Sequence, residues 1–229
     1  MAFIVGKTGI IKDGLVLYLD AGNLGSYPGS GDTWYDLSGN HYDATLINGV
    51  GYDGDNGGSL VFNGGLQKAY SPPSGDPFSV YGPANITFCM KPTNLVQESI
   101  VGIYNRHNQF AAVQIGFRDS GNSFGVWQLG GTWLLQLDNP IQQNVITQIS
   151  VNYSGSVISI YKDGNLIGNT TSANQNQSGN GYLIISGFNL TDIWEGFYGN
   201  MYSCFIYDRV LSESEIKINF NNTKKRFGI

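Results

Sequence analysis

The chain has 229 residues, a net charge of −5 and 13% charged side chains, about half the usual ~25%. Twelve Lys and Arg leave no basic footprint for nucleic acid, and 41% apolar residues exclude a disordered chain. Thirty-two glycines among few helix formers argue against a helical bundle, and no apolar run approaches the ~20 residues of a membrane-spanning helix.

Residues 1–13 form a first segment in which Phe3, Ile4, Val5, Ile10 and Ile11 are too apolar for an idle tail. An assembly arm that packs on another subunit or adds a strand to it is one expectation; an extra strand on the chain's own domain is the other. Met1-Ala-Phe-Ile-Val-Gly-Lys7 lacks the apolar core and cleavage site of a secretory signal. The expectation is synthesis in a cytoplasm and release by a route such as lysis.

From residue 14 to 229 the pattern is that of one all-β domain. Gly14-Leu-Val-Leu-Tyr-Leu-Asp20 is apolar on both faces and reads as a strand buried on both sides. Ser59–Phe62 is a short strand, and Ile86–Lys91 sets Ile86, Phe88 and Met90 on one face before Pro92 ends it. Strands follow at 99–104, 110–117, 124–129 and 133–137. Segments 145–153 and 157–161 form a hairpin, and Asp163-Gly164-Asn165 signals a second one. Segments 182–188 and 197–207 complete roughly a dozen strands at the short spacing of a sandwich or jelly roll. Ser212-Glu-Ser-Glu215 fits a capping box, predicting one helix over 212–221 with Ile216 and Phe220 on its buried face. Cys89 and Cys204 read as buried, reduced thiols. Triplets such as Asn85-Ile-Thr87 read as by-products of an Asn-rich composition.

Three stretches, in order, resemble a known family. They are Gly14–Ala21 with Thr33-Trp-Tyr-Asp-Leu-Ser-Gly-Asn40 and Asn48-Gly49; Ile86–Pro92 with the 160–164 hairpin; and Gly199–Ile216 with 219–228. Together they resemble the laminin-G-like branch of the concanavalin A-like lectin/glucanase superfamily. The ending and the early first strand are similar to versions in tailed-phage virion proteins. The resemblance implies a jelly-roll β-sandwich of two antiparallel sheets with its first and last regions side by side. It implies that Asp208 and Arg209 pair or bond backbone ahead of the helix, and that Arg226 and Phe227 dock the tail. Trp34, beside Tyr35, reads as structural.

The function expected on this basis is a non-enzymatic virion surface protein, as capsid decoration or tail-fibre component, with weak glycan binding in host adhesion. Its expected partners are other virion proteins, further copies of itself and host-surface glycans. A free or cell-surface lectin-like module is the alternative, and a glycoside hydrolase the third reading. A hydrolase needs two carboxyl groups across the sugar bond. The four glutamates, Glu98, Glu195, Glu213 and Glu215, supply no acidic pair on a clear strand. His41 and His107 form no catalytic or metal spacing. Sugars stack on aromatics and bond planar polar groups, so the glycan candidates are Trp127, Trp133, Tyr104, Arg106, His107 and Asp119. Core packing is the competing role for the two tryptophans. Weak candidates for Ca²⁺ are Asp53, Asp55 and Asn56, or Asp36 with Asn40, because a hard cation takes oxygen ligands. Turn chemistry explains the same residues.

Overall fold

The computed structural model describes residues 9–72, 74–79, 83–96, 98–104, 111–128, 132–154, 157–171, 180–187 and 196–227. Phe3, Ile4, Val5, Arg106 and His107 lie outside the described residues.

The strands, in chain order, are β1 (Leu15–Asp20), β2 (Thr33–Trp34), β3 (Ala44–Ile47), β4 (Gly51–Asp53), β5 (Ser59–Asn63), β6 (Lys68–Ser71), β7 (Phe78–Ser79), β8 (Ala84–Pro92) and β9 (Glu98–Tyr104). They continue as β10 (Ala111–Arg118), β11 (Ser123–Gln128), β12 (Thr132–Asp138), β13 (Thr147–Tyr153), β14 (Val157–Lys162), β15 (Asn165–Thr171), β16 (Asn180–Ile185) and β17 (Tyr198–Tyr207), followed by helix α1 (Glu213–Thr223). Every long alternating segment of the sequence is a strand here. The strands that went unread, β2, β3, β4, β6 and β7, have two to four residues, too few to show a period.

Two antiparallel sheets form. The first runs β15-β14-β13-β8-β17-β5-β4, and the second β12-β11-β10-β9-β16-β6-β3-β2; β1 joins the first beside β17 and β7 the second beside β16. Alternation decides what each face holds. Phe88, Met90, Ile149 and Val151 from the first sheet meet Ile103, Ile115, Phe117 and Val126 from the second in one core. Trp34 is fully buried in that core. The β14–β15 hairpin turns at Asp163 and Gly164, with φ of 51° and 78°. Two consecutive positive φ values are what a two-residue hairpin turn requires, and Asp-Gly supplies them at low cost.

β17 closes the domain. Its first half pairs β5, its second half pairs β1 from Ser203 to Tyr207, and its other edge pairs β8. The first and last strands therefore lie side by side. Cys89 and Cys204 sit on neighbouring strands one position out of register, so they face opposite sides of the sheet. Both are buried free thiols. Burial pushes the Cys204 thiol up to about 12.

The outer face of the first sheet is covered by α1 and residues 9–12. The capping box is present: the Glu215 amide donates to the Ser212 hydroxyl, and the Ser212 amide donates to Glu215 Oε2 at 2.8 Å. Ile216 is buried as expected, but its buried partner along the helix is Asn219, while Phe220 is half-exposed. Asn219 accepts from the Ile11 amide and donates to the Tyr207 hydroxyl, which in turn donates to the Ile11 carbonyl. Ile10 and Ile11 thus pack against the chain's own sheet, beside Tyr161, Phe205 and Tyr207. Asp208 and Arg209 bond backbone and do not pair with each other: the Asp208 amide donates to the Gly14 carbonyl, Arg209 donates to the Val210 carbonyl, and Arg209 pairs with Glu215 and Asp13 at 2.6 and 2.9 Å. Asn152 holds both backbone groups of Leu211, fixing the approach to the helix. The tail docks as expected. Arg226 pairs with Asp20 and donates to the Gly58 carbonyl, and Phe227 packs edge-on against Tyr202.

Candidate functional site

Among the described residues, no helix packs on the outer face of the second sheet. Its composition follows from the pleat: where Val113, Ile115, Phe117, Phe124 and Val126 point inward, Gln114, Gly116, Arg118, Ser123, Gly125 and Trp127 point outward. One register row crosses six strands as Trp127, Gln114, Gly102, Ile184, Tyr70 and Thr45.

The two ends of this face differ. Towards β6, Tyr104, Tyr182 and Ile184 are buried and packed with Tyr70. The Tyr104 ring lies over Gly102, and its hydroxyl donates to the Gly187 carbonyl at 2.9 Å. Tyr104 is therefore a packing residue of this face, only 1% exposed.

Towards the β12 edge a polar aromatic platform forms. Trp133 meets Trp127 edge-on, with ring centroids 5.3 Å apart. Trp127 is only 1% exposed and forms the floor; Trp133 is half-buried and keeps surface toward solvent. Glycine makes this stacking feasible: a Cβ on Gly125 would lie 2.0 Å from the Leu135 carbonyl oxygen and 3.0 Å from the Trp133 ring. Arg118, opposite Ser123 in the register, reaches back past Gly116 until its guanidinium carbon lies 4.7 Å from the centre of a Trp127 ring. Such a stacked guanidinium is held by the ring's negative face. Exposed Gln136 donates to the Ser123 hydroxyl at 2.8 Å, and Ser123 donates to Asp119 Oδ2 at 2.9 Å. Asp119 is exposed beside them, on a short turn after β10.

Of the glycan candidates, Trp127, Trp133 and Asp119 converge on this platform. Arg118, Gln114, Ser123, Gln136 and Gly125 were not singled out from the sequence. Their signal was parity: an inward Phe117 dictates an outward Arg118 once β10 is known to lie in the second sheet.

The Ca²⁺ candidates serve loop structure. Asp36 accepts from the amides of Tyr18, Ser38 and Tyr42 and from the Ser38 hydroxyl. The Asn40 amide group donates to Val16 O and to the Ser38 hydroxyl. Asp53 accepts from the Asp55 amide and from Asn200, and Asn56 takes a left-handed φ of 52°. Among the described residues no three of His, Cys, Asp and Glu cluster as a metal site. Four donors on the two Asp36 oxygens leave that carboxylate little capacity for a hard cation.

A cavity of about 370 Å³ lies on the other side of the sandwich, between residues 9–12, Tyr18, Asp20 and the docked tail. Its polar groups are largely committed. Arg226 bonds Asp20 and the carbonyls of Asn56 and Gly58, Tyr18 donates to Asp20, and Asn222 bonds two carbonyls. It is the seam where the two chain ends meet.

The two-sheet fold defines a lectin-like β-sandwich. A laminin-G-type family model, described as the concanavalin A-like lectin/glucanases superfamily, matches residues 63–217, and the chain belongs to that family. No curated protein sequence matches significantly. Among solved structures, the receptor binding domain of botulinum neurotoxin C/D mosaic serotype is similar with a TM-score of 0.69 at 12% identity, covering 92% of this chain and 52% of that one. The binding domain of botulinum neurotoxin DC in complex with rat synaptotagmin II gives 0.69 at 14% identity, covering 93% and 52%. Trypanosoma rangeli sialidase in complex with sialic acid gives 0.67 at 15% identity, covering 90% and 32%. The chain thus spans about half or less of these neighbours, and at such identity the likeness concerns the fold.

Proposed function

We propose that this protein is a non-enzymatic glycan-binding module whose site is the Trp127–Trp133 platform. The observation that carries the reading is the half-exposed Trp133 ring bordered by Arg118, Gln136, Ser123 and Asp119. A pyranose offers a C–H face to such a ring and hydroxyls to the polar rim. Neighbours described as receptor-binding domains, and one holding sialic acid, support a surface-binding role for the architecture. A catalytic role is disfavoured by the acids of this face. Asp119 and Asp138 are both exposed, and Asp119 is engaged by Ser123 and Gln136.

The finer reading is a tailed-phage virion surface protein that holds particles near their hosts by this platform. It rests on the sequence resemblance of residues 199–228. Stoichiometric copies of the chain in purified virions are expected by mass spectrometry, and their absence would remove the virion setting alone.

The platform is tested by glycan-array binding of the full chain. Trp133→Ala is expected to weaken binding roughly tenfold or more, about 1.4 kcal/mol, with the circular dichroism spectrum unchanged. Undiminished binding by that variant would move the site elsewhere. Polysaccharide cleavage lost with Asp119→Asn would restore the enzymatic reading.

A further inference from the structure

The platform carries a cation without an anion. Among the described arginines, Arg209 pairs with Asp13 and Glu215, and Arg226 pairs with Asp20. Arg118 forms no ion pair and no hydrogen bond among the described residues; its one recorded partner is the Trp127 ring, and its Nε is buried without an acceptor. The nearest acid in sequence, Asp119, is turned instead to Ser123 and Gln136. Asp138 lies a strand further, opposite Ser123, and does not reach it. The Trp127 indole N–H is also buried without an acceptor.

The buried Nε is closed to a ligand, whereas the terminal nitrogens of Arg118 are not buried and have no acceptor among the described residues, so a ligand can supply one. The planar guanidinium fork fits a carboxylate with two parallel hydrogen bonds. Stacking on Trp127 holds the fork in place, so less side-chain freedom is lost on binding. We infer that the platform selects acidic glycans, with Arg118 binding the carboxylate of a uronic or related acidic sugar whose ring lies on Trp133. This rests on the proposed glycan-binding reading and names its substrate class. The net charge of −5 repels polyanions at long range, so the selection is local to Arg118.

The experiment prints each carboxylated glycan beside its methyl ester and beside a sulfated glycan of the same backbone. The strongest acid–ester pair then goes into calorimetry with the full chain. The acid is expected to bind about tenfold more tightly than the ester. Arg118→Gln should erase that difference, weakening acid binding about tenfold more than ester binding, and Arg118→Lys should keep part of it, because charge remains but the fork is lost. Trp133→Ala should weaken acid and ester alike. Equal wild-type binding of acid and ester overturns the inference and leaves the glycan platform standing. A preference kept in a folded Arg118→Gln variant overturns the role of this residue. Preference for sulfate alone overturns the carboxylate. Binding to no glycan at all overturns both readings.

Discussion

Glu215 is one side chain with three structural duties. It closes the capping box on Ser212, pairs with Arg209, and through Arg209 ties the helix start to Asp13. The Arg209 hydrogen bonds, the Ser212 bonds and the positive charge nearby hold its carboxyl down to about 2, from an ordinary 4.5, against a desolvation penalty of opposite sign. The folded pKa lies below the unfolded one, so the stabilisation is complete above 4.5 and is lost as pH falls from there through about 2. Urea midpoints measured across that window should fall more steeply for the native chain than for Glu215→Gln, which lacks this titration. Parallel pH profiles for the two would mean that the pair is screened by solvent.

At the scale of elements, the platform depends on the β11–β12 pairing more than on any polar contact. Gly125 leaves the gap into which Trp133 folds and through which the Leu135 carbonyl approaches. Gly125→Ala should push the two strands apart and cost about 1–3 kcal/mol as an overpacking defect. It should also separate the Trp133 and Trp127 rings and so weaken glycan binding. Urea denaturation and near-ultraviolet circular dichroism of the tryptophans read both effects. An unchanged midpoint with an unchanged tryptophan spectrum would show that the strands absorb the methyl group.

Across the whole molecule, the two outer faces have different fates. The first sheet is closed by material from both chain ends: α1, the docked tail and residues 9–12. Beneath them lie Phe205, Tyr207 and Tyr161, at most 6% exposed. An eleven-residue helix has little stability alone, so packing on that face and the capping box together make it fold. A chain ending after Leu211 should expose the aromatic cluster, bind a hydrophobic dye and elute as aggregates in size exclusion. A monodisperse fragment with cooperative unfolding would mean that the sandwich is self-sufficient. Among the described residues neither α1 nor residues 9–12 pack on the second sheet, and the half-buried Trp133 marks its β12 end as the candidate site.

How much of this was legible in the sequence depended on the range of the interaction concerned. Strand alternation, the Asp163-Gly164 turn and the capping box are local, and each was read directly because its cause lies within a few residues. The class of fold followed from the order of those signals along the chain. Which outer face is covered was not legible, because it depends on where α1 and residues 9–12 pack, contacts across some two hundred residues of sequence such as Ile11 with Asn219. Trp127 and Trp133 could be nominated as aromatics near a binding face, but only the register sets one beneath the other. Arg118 could not be nominated at all. Its isolation from every described carboxylate, the feature that gives the platform its expected chemistry, is a property of three-dimensional distance. The sequence by itself determined a two-sheet lectin-like sandwich, because alternation and turn signals are local; the tertiary structure decided which tryptophan faces solvent and which arginine has no carboxylate partner among the described residues, because both depend on contacts between strands.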